Sequence, residues 1–206
     1  MNSDKSDATP DNDKDTLAIS PTQAVLTADV ARKAEHRSLS ALATLAQHTA
    51  SLEVTRPSIT NCPDAGHDID VRGNIEEIKR LVSTLTTTEV EKLEFLDGSA
   101  KNGNIQVRID VKSGKTVSAD MIDSHAANST RSPTFQVNLL LLTHPDANIS
   151  KEAQNKIDHY KQIFKEVGVL IDVATPEGLE RIENMNKTHE LSAVADVNRQ
   201  SLPIPK

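Results

Sequence analysis

The stretch that decides the fold is "FQVNLLLLTHPDANISKEAQNKIDHYKQIFKEVGVLIDVAT", residues Phe135 to Thr175. It begins with an apolar run that is typical of a strand buried on both faces. In the middle part the apolar residues recur every three or four positions, which predicts an amphipathic helix. The run "VLIDVAT" predicts a second strand. The order strand, helix, strand therefore predicts a βαβ unit with parallel strands and a right-handed connection.

Upstream of this unit the sequence predicts further elements of the same sheet. A strand at 69–71, a helix after Asn74 and a strand at "KLEFLDG" repeat the order, and "NIQVRIDVKSGKTVSADMI" predicts a β-hairpin. In the first strand of that hairpin, Arg108 and Asp110 alternate with apolar residues and are predicted to face water. "DSHAANSTRSP" reads as a polar loop. The predicted fold class is α/β, with mixed α+β as the alternative, in one domain whose mixed sheet has about four to six strands.

The predicted domain organisation has four parts. Residues 1–19 are too polar to bury a core and are predicted to be a disordered tail. Residues 20–53 are predicted to form an Ala-rich helical arm, residues 54–191 the mixed α/β domain, and residues 192–206 a flexible tail. On the arm, the larger apolar side chains are predicted to bind a partner protein. These partner-binding candidates are Leu39, Leu42, Leu45 and Leu52.

Composition narrows the classes of partner. The 206 residues carry 23 basic and 30 acidic side chains, a formal net charge of -7, and few aromatic residues. An acidic balance argues against a nucleic-acid binder, whose affinity depends on Lys and Arg contacts to phosphates. The start of the chain lacks the apolar region of a secretory signal, and no window is apolar enough to span a membrane. The prediction is a cytoplasmic protein without cofactor or membrane insertion, with export by a specialised secretion system as the alternative.

Two groups of residues are candidates for chemistry. His144 and Asp146 follow the apolar strand, at the sheet end where α/β proteins bind ligands, and Asp172 lies in the next strand. Pro145 ends the strand and Asp146 can cap the following helix, so a purely structural role is the simpler interpretation. Cys62, His67 and Asp68 are of metal-ligand types, although their spacing matches no zinc or calcium motif and a turn explains them as well.

These observations predict a non-catalytic interaction module. It would act as an adaptor, chaperone or accessory subunit of a larger complex such as a bacterial secretion system, with other proteins as its partners and no nucleic acid. One alternative is a small enzyme with its site near His144, and another is a secreted bacterial effector. No enzymatic motif in the sequence outweighs its structural interpretation.

Overall fold

The computed structural model describes residues 21–57, 67–131 and 134–200. A five-stranded sheet runs through the molecule, with antiparallel pairing on one side and parallel pairing on the other. The sheet strands in spatial order are β1 (Glu53–Thr55), β2 (Ile69–Asn74), β3 (Asn104–Lys112), β5 (Val137–Leu142) and β7 (Leu170–Ala174). Two short strands, β4 (Thr116–Val117) and β6 (Asn148–Ile149), form a separate parallel pair. The predicted mixed α/β fold class is confirmed.

Helices cover both faces of this sheet, because each sheet face is apolar and must be buried. The helices are α1 (Pro21–Gln47), α2 (Ile75–Leu85), α3 (Ala119–Arg131), α4 (Lys151–Glu166) and α5 (Pro176–Gln200), with a 3₁₀ segment at Val90–Ser99. The first, second and fifth helices pack with Val107 and Leu139 in one core. The third and fourth pack with Leu140 and Leu142 in a second core. The sheet is therefore the middle of three layers.

The predicted βαβ unit is confirmed. Strands β5 and β7 pair in parallel, and α4 connects them. Helix α4 begins after Ser150, whose hydroxyl accepts a hydrogen bond from the Ala153 backbone N–H at 3.1 Å. Every residue of β5 and of β7 is buried, as expected for strands covered on both faces.

Three local predictions are wrong. The segment "KLEFLDG" belongs to the 3₁₀ segment, because its buried residues Leu93 and Leu96 are three positions apart and not two. There is no β3–β4 hairpin, since β3 pairs with β2 and β5 while β4 pairs with β6. The predicted polar loop is mostly helix α3, whose buried face includes the polar residues His125 and Ser129 and therefore lacks a clear apolar pattern.

The predicted exposure of Arg108 and Asp110 is also wrong. Arg108 is 0% exposed and Asp110 is 4% exposed. Their side chains point to the sheet face that α3 and α4 cover, and a helix on that face buries positions that would otherwise be wet. Burial of charged side chains inside a strand is costly unless they are paired, so these residues need a specific explanation.

Helix α1 packs on the domain, on the same face of the sheet as α2 and α5. Arg37 donates two hydrogen bonds to the Glu183 carboxylate, at 2.7 and 2.8 Å, and Asn186 donates one to the Ala41 carbonyl at 2.9 Å. The predicted partner-binding side chains therefore contact the chain's own core. Of these, Leu42 and Leu45 are buried, and Leu39 and Leu52 pack against the same core.

The ends of the chain differ from the predicted tails in one respect. Helix α5 continues to Gln200, through the start of the predicted flexible tail at residue 192. Residues 192–200 contain no Gly or Pro, the residues that most disfavour a helix interior. The predicted tail at 1–19 and residues 201–206 lie outside the described residues. Within the described ranges, no helix combines the length and apolarity that crossing a membrane requires.

Candidate active site at the end of strand β3

The corner after β5 holds two residues of the first candidate group, His144 and Asp146, and His144 also lines an open pocket of about 260 Å³. The Nδ1 atom of His144 accepts a hydrogen bond from the Asp146 backbone N–H at 3.0 Å, so the imidazole stabilises its own turn. Asp172 is buried in β7, where Thr88 Oγ1 and Lys161 Nζ each lie 2.7 Å from its carboxylate. His144 and Asp146 therefore contact each other in this turn, whereas Asp172 has partners of its own in β7.

The second candidate group is divided as well. Cys62 lies outside the described residues. His67 places Nε2 3.0 Å from Asp70 Oδ1 and packs its ring edge-on against Phe135. Across 21–57, 67–131 and 134–200, no three His, Cys, Asp or Glu side chains are arranged as a ready-made metal cage. Asp68 alone belongs to the site described next.

Asp68 lies where the start of β2 meets the end of β3. The two strands are antiparallel, so the residue that precedes one strand is placed beside the last residues of the other. The Asp68 backbone N–H donates to the Ile109 carbonyl at 2.9 Å, and the Val111 N–H donates to Asp68 Oδ2 at 2.7 Å. These two bonds fix the carboxylate next to Asp110.

Asp110 and Lys112 project from the same face of β3, because they are two residues apart in a strand. Lys112 Nζ lies 2.7 Å from Asp110 Oδ1. On the other side, His125 of α3 places Nδ1 3.7 Å from Asp110 Oδ2, a separation that is too long for a hydrogen bond. Asp110 and His125 are buried, whereas the Lys112 side chain is 36% exposed. The ammonium group can therefore reach solvent while it contacts Asp110.

An open cleft of about 350 Å³ gives access to these groups. Helix α1 contributes Glu35 to its wall, and the segment after β3 contributes Gly114 and Thr116. Asp68, Asp110 and Lys112 also line it. Glu35 is held by Arg56, whose guanidinium lies 3.2 Å from its carboxylate. Three carboxylates, those of Glu35, Asp68 and Asp110, line this cleft together with Lys112.

The pKa values of Asp68 and Asp110 are shifted in opposite directions from the ordinary value of an aspartate. Burial, together with the negative charges of Asp110 and Glu35, raises the pKa of Asp68 to about 6, although the hydrogen bond from the Val111 N–H opposes the rise. Burial alone would favour the neutral form of Asp110, but contacts with His125 and Lys112 outweigh it and lower the pKa of Asp110. Such perturbed carboxylates in a cleft are typical of functional sites.

This arrangement offers hard oxygen ligands beside a positive charge. Mg²⁺ is usually held by one or two carboxylates together with waters and substrate phosphates, and it does not need a cage of protein ligands. Asp68 and Asp110 are two carboxylates that line the same cleft. Lys112 adds a charge that can meet an anionic substrate.

Sequence reasoning missed this site, although a signal was present. The residues Asp110 to Lys112 end strand β3. Asp68 directly precedes β2, the antiparallel strand that pairs with β3. The pairing of β2 with β3 was not predicted, because the sequence between them contains α2 and the 3₁₀ segment. Without that pairing, Asp68 and Asp110 are 42 positions apart and carry no motif.

Comparison with solved structures gives a distant likeness. No protein-family model matches the chain, and no curated protein matches it. A similar solved structure is the MspJI restriction endonuclease in complex with a 27-mer oligonucleotide, with 14% sequence identity and a TM-score of 0.42. The match covers 78% of this chain and 30% of that one. A likeness of this degree supplies no argument about activity, which must come from the site itself.

The predicted function and partners are corrected here. The similar solved structure is an endonuclease in complex with an oligonucleotide and not an adaptor, and the prediction of a non-catalytic module without a nucleic-acid partner is withdrawn. The acidic composition led to this error, because net charge describes the whole chain and not the cleft. The alternative enzyme site near His144 stays a prediction, although Asp172 contacts Thr88 and Lys161.

Proposed function

We propose that the protein is a metal-dependent phosphodiester hydrolase that acts on nucleic acid. The observation that carries the proposal is the convergence of Asp68, Asp110 and Lys112 at the end of β3 in an open cleft. Two carboxylates with a lysine provide the parts that metal-assisted phosphoryl chemistry needs. A polymer backbone fits an open cleft better than it fits an enclosed pocket.

Each side chain has a role that follows from its position. Asp68 and Asp110 would hold the divalent ion, and the ion would polarise the phosphate and neutralise its charge. Lys112 would orient the attacking water and stabilise the negative charge that grows on the phosphoryl oxygens. Water adds to phosphorus as the ester P–O bond breaks, and the leaving oxygen takes up a proton to give an alcohol and a phosphomonoester.

The buried position of Asp110 supports this assignment. A charged side chain beneath a helix destabilises a fold unless its partners compensate. Lys112 compensates one oxygen of Asp110, while the other lies toward His125 without a hydrogen bond. A carboxylate that its neighbours keep ionised in spite of its burial is suited to bind a cation.

The test is cleavage of labelled double-stranded DNA, single-stranded DNA and RNA by the purified full chain, with Mg²⁺ or Mn²⁺ and with a chelator. We expect metal-dependent cleavage of at least one substrate, and we expect Asp110→Asn and Lys112→Met each to reduce it by about 100-fold or more. Lys115→Met is the matched control, because Lys115 is exposed and three residues further along the same segment.

The proposal is overturned if the wild-type protein cleaves none of these substrates with either metal. It is also overturned if Lys112→Met cleaves as fast as Lys115→Met does. Circular dichroism of each variant shows whether it is folded. A folded, inactive Lys112→Met protein is the result that assigns the loss to the site.

A further inference from the structure

We propose that His125 is a positioning residue for Asp110: it holds that carboxylate in the orientation from which Asp110 binds the divalent ion. The inference rests on the proposed function and extends it to a side chain outside the cleft wall. His125 lies on α3, which covers the end of β3 from the opposite side of the site. It would act only through Asp110.

The first observation is that the imidazole is buried without a hydrogen-bond partner. His125 is 2% exposed, and among the described residues neither ring nitrogen has a hydrogen-bond partner. Buried polar groups are almost always hydrogen-bonded, so an exception needs a reason. Groups of this kind are retained where function requires them. Packing alone would be served better by an apolar side chain at this position.

The second observation is the direction in which the ring points. Its Nδ1 atom lies 3.7 Å from Asp110 Oδ2, while Lys112 Nζ lies 2.7 Å from Oδ1 of the same carboxylate. The carboxylate is therefore placed between two groups, one on each oxygen. Rotation about its Cβ–Cγ bond would break both contacts. Contacts of this kind are often long in a free protein and tighten when the ligand binds.

The third observation separates this contact from the packing of the helix. The His125 main chain is held by Ser129, whose hydroxyl donates to the His125 carbonyl at 2.9 Å. Ile122 and Ala126 are the buried apolar residues of α3. The hydrogen bond of Ser129 does not involve the imidazole, whose Nδ1 atom faces Asp110.

The experiment compares His125→Asn, His125→Gln and His125→Leu in the full chain, with Mn²⁺ affinity measured by electron paramagnetic resonance. The side-chain amide of Asn reaches the place of Nδ1, whereas that of Gln reaches the place of Nε2. Because Nδ1 faces Asp110, we expect Asn to retain most of the affinity. We expect Gln and Leu to weaken it by about 10-fold or more, as for other groups that orient metal ligands.

Ser129→Ala is the matched control, since it removes a buried hydroxyl from the next turn of α3 without touching Asp110. Its Mn²⁺ affinity is expected to equal that of the wild type. The inference is overturned if Leu binds Mn²⁺ as tightly as the wild type, or if Asn loses as much as Leu, which would indicate packing. A wild-type protein that binds no Mn²⁺ would instead overturn the proposed function.

Discussion

For Asp68, the protonation state that favours the folded protein differs from the state that would bind a metal ion. Its carboxylate accepts the Val111 N–H, and it lies near the negative charges of Asp110 and Glu35. Burial and these charges raise its pKa from 3.8 to about 6, so the ionised form is disfavoured in the folded protein. A site for a divalent cation needs that ionised form, because the cation replaces the missing positive charge.

Because ionised Asp68 destabilises the folded protein, we expect Asp68→Asn to stabilise it by an amount that depends on pH. The folded state holds the proton more tightly than the unfolded state, so wild-type stability falls as pH rises from about 4 to about 6. Asn keeps an acceptor for Val111 and carries no charge. Above pH 6 we expect it to be more stable by on the order of 1 kcal/mol, since solvent screens part of the effect.

Urea unfolding at a series of pH values measures this difference. The gain should shrink toward zero as the pH approaches 4. Asp146→Asn, a change of the same kind at an exposed turn, is the control and should follow the wild type. A less stable Asp68→Asn protein at pH 8 would contradict the prediction.

Helix starts are the elements that the sequence predicted best. The Asn74 side chain accepts the Glu77 N–H at 2.9 Å, and Thr175 Oγ1 accepts the Gly178 N–H at 3.1 Å, both as expected from the capping residues. These signals are local, because the cap and its partner are three residues apart. Helix α3 also begins after a capping residue, since the Met121 N–H donates to Ser118 Oγ at 3.3 Å, but its buried face is partly polar, and the helix was therefore missed.

Gly178 provides a test of how closely α5 approaches α2. A Cβ atom at this position would overlap the Leu85 carbonyl oxygen and would lie 2.7 Å from Leu85 Cα. Helix propensity alone predicts that Gly178→Ala stabilises the protein by about 1 kcal/mol. We expect the backbone clash to dominate and to destabilise it by about 2 kcal/mol or more, as for other overpacked sites.

The measurement is the free energy of unfolding in urea. Gly98→Ala is the matched control, because a Cβ there would meet nothing within 4 Å. A stabilised Gly178→Ala protein would mean that the two helices can separate without loss, against the close approach described.

At the scale of the whole molecule, the main difference from the sequence-based expectation is that α1 packs on the sheet. Its sequence resembles an independent arm, yet it closes one face of the sheet together with α2 and α5. Leu42 is 1% exposed, and Leu26 on the same helix is 62% exposed. The helix therefore contributes to the stability of the domain through only part of its length.

Alanine substitution at Leu42 and at Leu26 tests whether only part of α1 contributes to stability. Leu42→Ala removes buried methyl groups and is expected to destabilise the protein by about 2–5 kcal/mol. Leu26→Ala is expected to change stability by less than about 0.5 kcal/mol, as for other exposed sites. Thermal and urea unfolding measure both. Equal effects would show that α1 is not packed as described.

The amino-acid composition led to the wrong prediction about partners, because the net charge of the chain does not show where the charges lie. The chain has a net charge of -7, but its first 20 residues alone contain five Asp and two Lys. That segment says nothing about the cleft, where Lys112 lies beside the two aspartates. Net charge is an argument about long-range attraction and solubility, and it cannot exclude a site that a few groups create.

By itself, the sequence determined the fold class, the βαβ unit and the helix caps. Those features depend on residues that are neighbours along the chain, and their periodicity and capping hydrogen bonds are local. Only the tertiary structure decided that β2 pairs with β3 and that α3 covers Asp110. The candidate site depends on that pairing, because it brings Asp68 to Asp110 across a long insertion. No local pattern encodes such a contact.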